Sequence, residues 1–138
     1  MKFAFLTILL LPLFASTCHG WKYYIEVENH LDQNVFCLPG FSYPDTSLVY
    51  FDKRSILGND VVFFLQPAQK QRLFFEKLLS RTEWRGYLAK DTLQVFVIPE
   101  KTLKEVSWDS INANHLYLRR LVYSYTDVIN NGGKITIQ

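Results

Sequence analysis

The chain has 138 residues, 49% of them apolar, 16% aromatic and 20% charged, with a formal net charge of +2. That apolar share excludes a disordered chain and allows a packed core. The near-neutral balance, without any block of lysine and arginine, excludes a nucleic-acid partner held through phosphate charge.

Residues 1–20 have the layout of a secretory signal peptide. Lys2 supplies the positive start, residues 3–14 an almost unbroken apolar run, and Ala15, Ser16, Thr17, Cys18 and Gly20 a small-residue stretch. The run falls short of the roughly 20 apolar residues that span a bilayer, and Pro12 interrupts it. Two processing routes fit. Acylation of Cys18 would anchor the protein to membrane through an N-terminal lipid, in the cell envelope and most simply at the outer membrane. Ordinary cleavage after Gly20 would release a soluble periplasmic or secreted protein. A retained N-terminal anchor is a third route. Residues 21–138 then make a single β-rich domain.

Residues 22–28 alternate, with Tyr23, Ile25 and Val27 on one side, which is the period of a half-buried strand. Residues 29–33 form a polar turn and residues 34–38 a second strand, so the pair is expected to make a hairpin. The second strand holds Cys37, expected as a small buried core residue, with a Cys18–Cys37 disulfide as the alternative. Residues 43–47 read as a turn in which Pro44 fixes φ. Residues 61–65 form a buried strand, residues 66–71 a polar connection and residues 73–75 another strand.

Ser80 and Glu83 have capping-box spacing. The following helix is expected to present Trp84, Tyr87 and Leu88 on one face. Residues 92–98 are apolar on both faces and so belong at the centre of a sheet. Pro99 ends that strand and opens a short helix carrying Leu103 and Val106. Ser107 caps another, with Trp108, Ile111 and His115 along one side. Residues 116–123 form a strand, Thr126 caps one last helical turn ended by Gly132 and Gly133, and residues 134–138 alternate with Ile135 and Ile137 inward. The expected fold is mainly β, an antiparallel β-sandwich-like domain with short helical connections; a two-layer α+β domain is the alternative.

The chain carries no metal-ligand spacing, phosphate loop or nucleophile elbow, and no cofactor or metal site is expected. Asp109, Ser110 and His115 could be drawn as a triad, but Ser and Asp here serve a helix N-terminus. Glu26 and Glu28 share a strand face, as glycosidase carboxylates can, and read as a solvated face. The aromatics offer more. Tyr43, Tyr50 and Tyr117 fall at strand edges or turns, where exposed rings bind sugars and partner proteins; core packing competes for the same residues.

Four stretches, SYPDTSL (42–48), KDTLQVFV (90–97), SWDSI (107–111) and LRR (118–120) with the turn at Asp127, resemble a family of small exported, often lipid-anchored proteins of unknown function from Bacteroidetes-type gut bacteria. The resemblance runs over most of residues 24–137. It implies a β-rich domain outside the cytoplasm, usually behind a lipidated cysteine, and brings no catalytic residues. Asn130, Asn131, Gly132 and Gly133 stand where that family has Met-Asn-Trp. The leading expectation is a non-enzymatic, lipid-anchored envelope domain that binds an envelope protein or glycan. A small envelope hydrolase with an unrecognised site, or a purely structural accessory protein, are the alternatives.

Overall fold

The computed structural model describes residues 25–48, 51–58, 64–72 and 80–138. Seven strands are found among them: β1 (Glu26–Asn29), β2 (Val35–Gly40), β3 (Phe64–Leu65), β4 (Lys70–Arg72), β5 (Thr92–Pro99), β6 (Arg119–Ser124) and β7 (Lys134–Ile137). Five short helices accompany them: α1 (Lys53–Gly58), α2 (Arg81–Tyr87), α3 (Glu100–Glu105), α4 (Trp108–Ala113) and α5 (Tyr125–Asn130). The strands make a three-stranded sheet in the order β4-β1-β7 and a four-stranded sheet in the order β3-β2-β5-β6. Every pairing is antiparallel except β1 with β7.

The two sheets pack face to face. Ile25, Val27, Ile135 and Ile137 from the smaller sheet meet Val35, Cys37, Leu93, Val95 and Val97 from the larger one, with Trp84, Leu88 and Val128 closing the margins. The opposite face of the larger sheet carries a second core. There Phe36, Leu38, Phe96 and Ile98 pack on Leu48 and on Ile56, Leu103 and Ile111 of α1, α3 and α4. The fold is thus mainly β and sandwich-like, with a helical layer on one outer face, which is the α+β feature of the alternative reading. Covering both faces of β2 and β5 explains their unbroken apolar sequence, since neither has a side left for water. Each large side chain buried there contributes roughly 2–3 kcal/mol through apolar area removed from water.

Local chemistry sets the ends of these elements. Ser80 and Glu83 form the expected capping box at α2, with Glu83 Oε2 accepting from the Ser80 N–H at 2.7 Å. Ser107 caps α4. Helix α5 ends in a Schellman motif, because Gly133 N–H donates to Val128 O at 2.8 Å and Gly132 N–H to Ile129 O at 2.9 Å. Gly132 stands at φ +62 and Gly133 at +75, where side-chain-bearing residues are strained. The turn ends the helix and delivers β7 beside β1, so Asn131-Gly132-Gly133 performs a chain reversal without an aromatic residue.

Four expectations are corrected. β1 and β2 do not form a hairpin but belong to different sheets. Both flanks of each strand are already taken, β1 by β4 and β7, β2 by β3 and β5. The linking corner is built on buried Asn29, whose amide donates to Gln33 O (2.9 Å) and Leu65 O (3.3 Å) and whose Oδ1 accepts from Leu31 N–H (3.0 Å). Part of the polar connection at 66–71 is in fact β4, paired to β1, where a polar sequence fits because the Lys70 and Arg72 side chains are exposed. Tyr87 is 65% exposed rather than on a buried face. Leu88 leaves the helix with φ −115 and ψ 120, so the helical period stops at Tyr87 and Leu88 turns inward alone. Finally, Ser124, not Thr126, caps α5, again through a capping box with Asp127. Residues 1–24, 61–63 and 73–75, on which other sequence expectations fall, lie outside the described residues.

Candidate interaction surface

Strand β6 is an edge of the four-stranded sheet, and its side chains alternate between the two faces. Leu121 and Tyr123 pack against the inter-sheet core. Arg120 and Val122 lie on the opposite face, level with Phe96 and Gln94 of β5. The helical layer covers β2 and β5 but leaves this strip open. Leu116 and Leu118 are each 39% exposed and Val122 44%.

Gln94 organises the strip. It is fully buried, and a buried amide is costly unless both ends are paired. Its Oε1 accepts from Arg120 Nε at 2.7 Å, and its Nε2 donates to Asp45 O at 2.9 Å. Arg120 also donates from Nη2 to Pro44 O at 3.3 Å, and its guanidinium lies 5.7 Å from the centre of the Tyr43 ring. That distance is within cation–π range. The loop from Tyr43 to Asp45 is thereby fixed to the sheet. It is closed on itself by Asp45, which accepts from Ser47 N–H at 2.9 Å and Ser47 Oγ at 2.8 Å. Those bonds hold the Asp45 carboxyl below its ordinary range. β2 ends in Gly40 for a steric reason: a Cβ there would stand 2.6 Å from Phe96 Cε2 and 3.0 Å from Gln94 Cβ.

The sequence singled out four residues. Tyr43 and Tyr117 are half-buried and reach the same strip. Tyr43 has its ring under Arg120, and Tyr117 packs edge-on against Phe96 at 5.2 Å, with the His115 ring 5.9 Å away. Neither is a bare aromatic platform. Tyr50 and Cys18 lie outside the described residues. What sequence reading missed were Gln94, Arg120 and Val122, one polar residue inside an apolar strand and two residues of a strand whose pairing no pattern reveals. The isolated Gln94 in the run at 92–98 was the available signal.

The other chemistries resolve into structure. Ser107 Oγ donates to Ser110 Oγ at 2.8 Å and caps α4. His115 does not extend the Trp108–Ile111 side of that helix, which ends at Ala113; it follows in a left-handed conformation at φ +51 and is exposed. Glu28 is engaged by His30 Nε2 at 3.0 Å and Lys70 Nζ at 3.1 Å, which lower its pKa. Burial pushes the Cys37 thiol up to about 12, so it is an unreactive core group. No cluster of three metal-ligating side chains occurs among the described residues.

No family model matches the chain, and neither a search of curated proteins nor one of solved structures returns a match.

Proposed function

We propose that the chain is an exported cell-envelope protein, lipid-anchored through Cys18, whose β domain binds a partner protein over the outer face of β6. The observation that carries the binding part is the exposure of Val122 on the edge strand β6 and of Leu118 just before it, two residues to either side of Arg120. Apolar side chains around a pinned arginine, rimmed by tyrosines, have the composition of a protein-binding hot spot. A protein partner suits this strip better than a glycan, because the Tyr43 ring already lies against the Arg120 guanidinium. The signal layout of residues 1–20 supports export, and the small residues ending in Cys18 support the anchor.

Two measurements test the reading. Intact mass of the protein purified from host membranes should give an N-terminus at Cys18 with added acyl mass; an unlipidated chain starting at Trp21 would replace the anchor with a soluble secreted form. Crosslinking in cells should join a partner protein to the wild-type surface and fail for the Leu118→Asp/Val122→Asp double variant at unchanged melting temperature. Equal crosslinking by both proteins would remove the outer face from the proposal.

A further inference from the structure

The side of the sandwich where β6 and β7 run next to each other is open. A groove of about 360 Å³ lies there, lined by Tyr123, Asn131, Lys134, Thr136 and Gln138. One cross-link spans it, from Arg119 Nε to Gln138 O at 3.2 Å.

The parallel ladder between β1 and β7 determines which backbone groups face this groove. Glu26 N–H donates to Gly133 O at 2.8 Å and His30 N–H to Ile137 O at 2.9 Å. With Glu26 opposite Lys134 and Glu28 opposite Thr136, the odd-numbered residues of β7 bond to β1. The main-chain groups of Lys134, Thr136 and Gln138 then point away from it. The N–H of Lys134 is used locally, by Asn131 O at 3.2 Å. The C=O of Lys134, both groups of Thr136 and the N–H of Gln138 form a row with the spacing of a strand.

The walls have a definite electrostatic character. Lys134 is the one charged side chain of the lining and makes no ion pair among the described residues, although Glu26 stands opposite it in the β1–β7 register and Asp127 lies beside Tyr123. Burial, helped by Asp127, raises the pKa of Tyr123, so its hydroxyl is a neutral hydrogen-bond donor. A second copy of β7 would bring another Lys134 to this edge, whereas a strand carrying a carboxylate would pair with the one present.

We propose that the edge of β7 opposite β1, which pairs with no strand among the described residues, is a strand-addition site for an extended, acidic segment of another protein. Main-chain bonds to Lys134, Thr136 and Gln138 supply the affinity, and Lys134 with Tyr123 selects a carboxylate-bearing sequence. This site is separate from the outer face of β6 and stands or falls independently of it.

The test uses the full chain and a fluorescent, end-blocked probe peptide of sequence Ser-Val-Glu-Val-Ser-Val-Glu, followed by anisotropy. The peptide should bind, and Thr136→Pro should weaken binding at least about tenfold. The Thr136 N–H does not serve the β1 ladder, so proline leaves the sheet paired. Thr136→Val, which keeps the N–H, should bind like wild type and controls for folding. Lys134→Glu should weaken binding several-fold, and an N-methylated peptide with the same side chains should not bind. The Leu118→Asp/Val122→Asp variant should bind normally. Absence of binding at about 1 mM peptide, or equal binding of the N-methylated peptide, overturns the proposal.

Discussion

Replacing Gln94 with leucine tests whether the strip around Tyr43 is held by one buried amide. The substitution keeps roughly the same bulk and removes two hydrogen bonds. The one from Arg120 is charge-assisted, at 2.7 Å, and its loss costs about 1.5–3 kcal/mol; the one to Asp45 O contributes about 1 kcal/mol. The added apolar area of leucine offsets roughly 1 kcal/mol. The net expectation is a loss of about 2 kcal/mol, or roughly 10 °C in melting temperature for a domain of this size. Urea titration gives the free energy directly. A double-mutant cycle with Arg120→Ala isolates the pair and should give a coupling of about 1–2 kcal/mol. The near-ultraviolet signal of the tyrosines should also change, because Arg120 would lose the acceptor that keeps it over Tyr43. Stability within about 0.5 kcal/mol of wild type, together with an additive cycle, would refute the reasoning.

Four further outcomes are expected. Gly40→Ala should cost about 1–2 kcal/mol in urea unfolding, since the new methyl would stand 2.6 Å from a buried phenylalanine ring and overpacking outweighs the backbone-entropy gain. Ser124→Ala should cost about 1 kcal/mol by removing the α5 cap. The same pair of proteins carries a pH dependence. The Ser124 hydroxyl first, then its N–H, holds the Asp127 carboxyl below its ordinary value of 3.8. A depressed native pKa stabilises above the unfolded value and is lost as pH falls through the lower native one. Thermal melts should therefore show the wild-type advantage at neutral pH and its narrowing below about pH 4. Cys37 should resist alkylation at about pH 8 in the native protein and react once denaturant is added, as mapped by mass spectrometry; fast native labelling would contradict its place in the sandwich core.

How much could be read in advance depended on whether an element's signal was local. Residues 92–98 announced a central strand because both faces are apolar, and β5 does lie between β2 and β6. The Ser80–Glu83 spacing announced a capping box because cap chemistry acts within one turn. Strand partners are a different matter. The corner at Asn29 looks like any hairpin turn in sequence, and its role as a crossing between sheets rests on contacts far along the chain, such as the bond to Leu65 O and the pairing of β1 with β4 and β7. β4 escaped notice because a strand with exposed side chains needs no apolar residues. At α5, Ser124 and Thr126 are both good caps, and the choice rests on Asp127, which sits three residues after Ser124. For the candidate surface, the aromatics were visible, but the residues that fix them, Gln94 and Arg120, come together only through the β5–β6 register.

The parallel pairing of β1 with β7 has a consequence for how the molecule comes into being. β1 is the middle strand of its sheet, yet one neighbour arrives only after nearly all the described chain has been made. Until residues 134–137 are present, Val27 and Ile25 lack the cover of Ile135 and Ile137, and the sandwich is open along that seam. Loops of this length close slowly, and folding dominated by distant contacts is slow as well. A nascent chain therefore stays incomplete, with one edge of β1 unpaired, until β7 is delivered by the Gly132–Gly133 turn. Truncation before that turn would remove the parallel partner of β1.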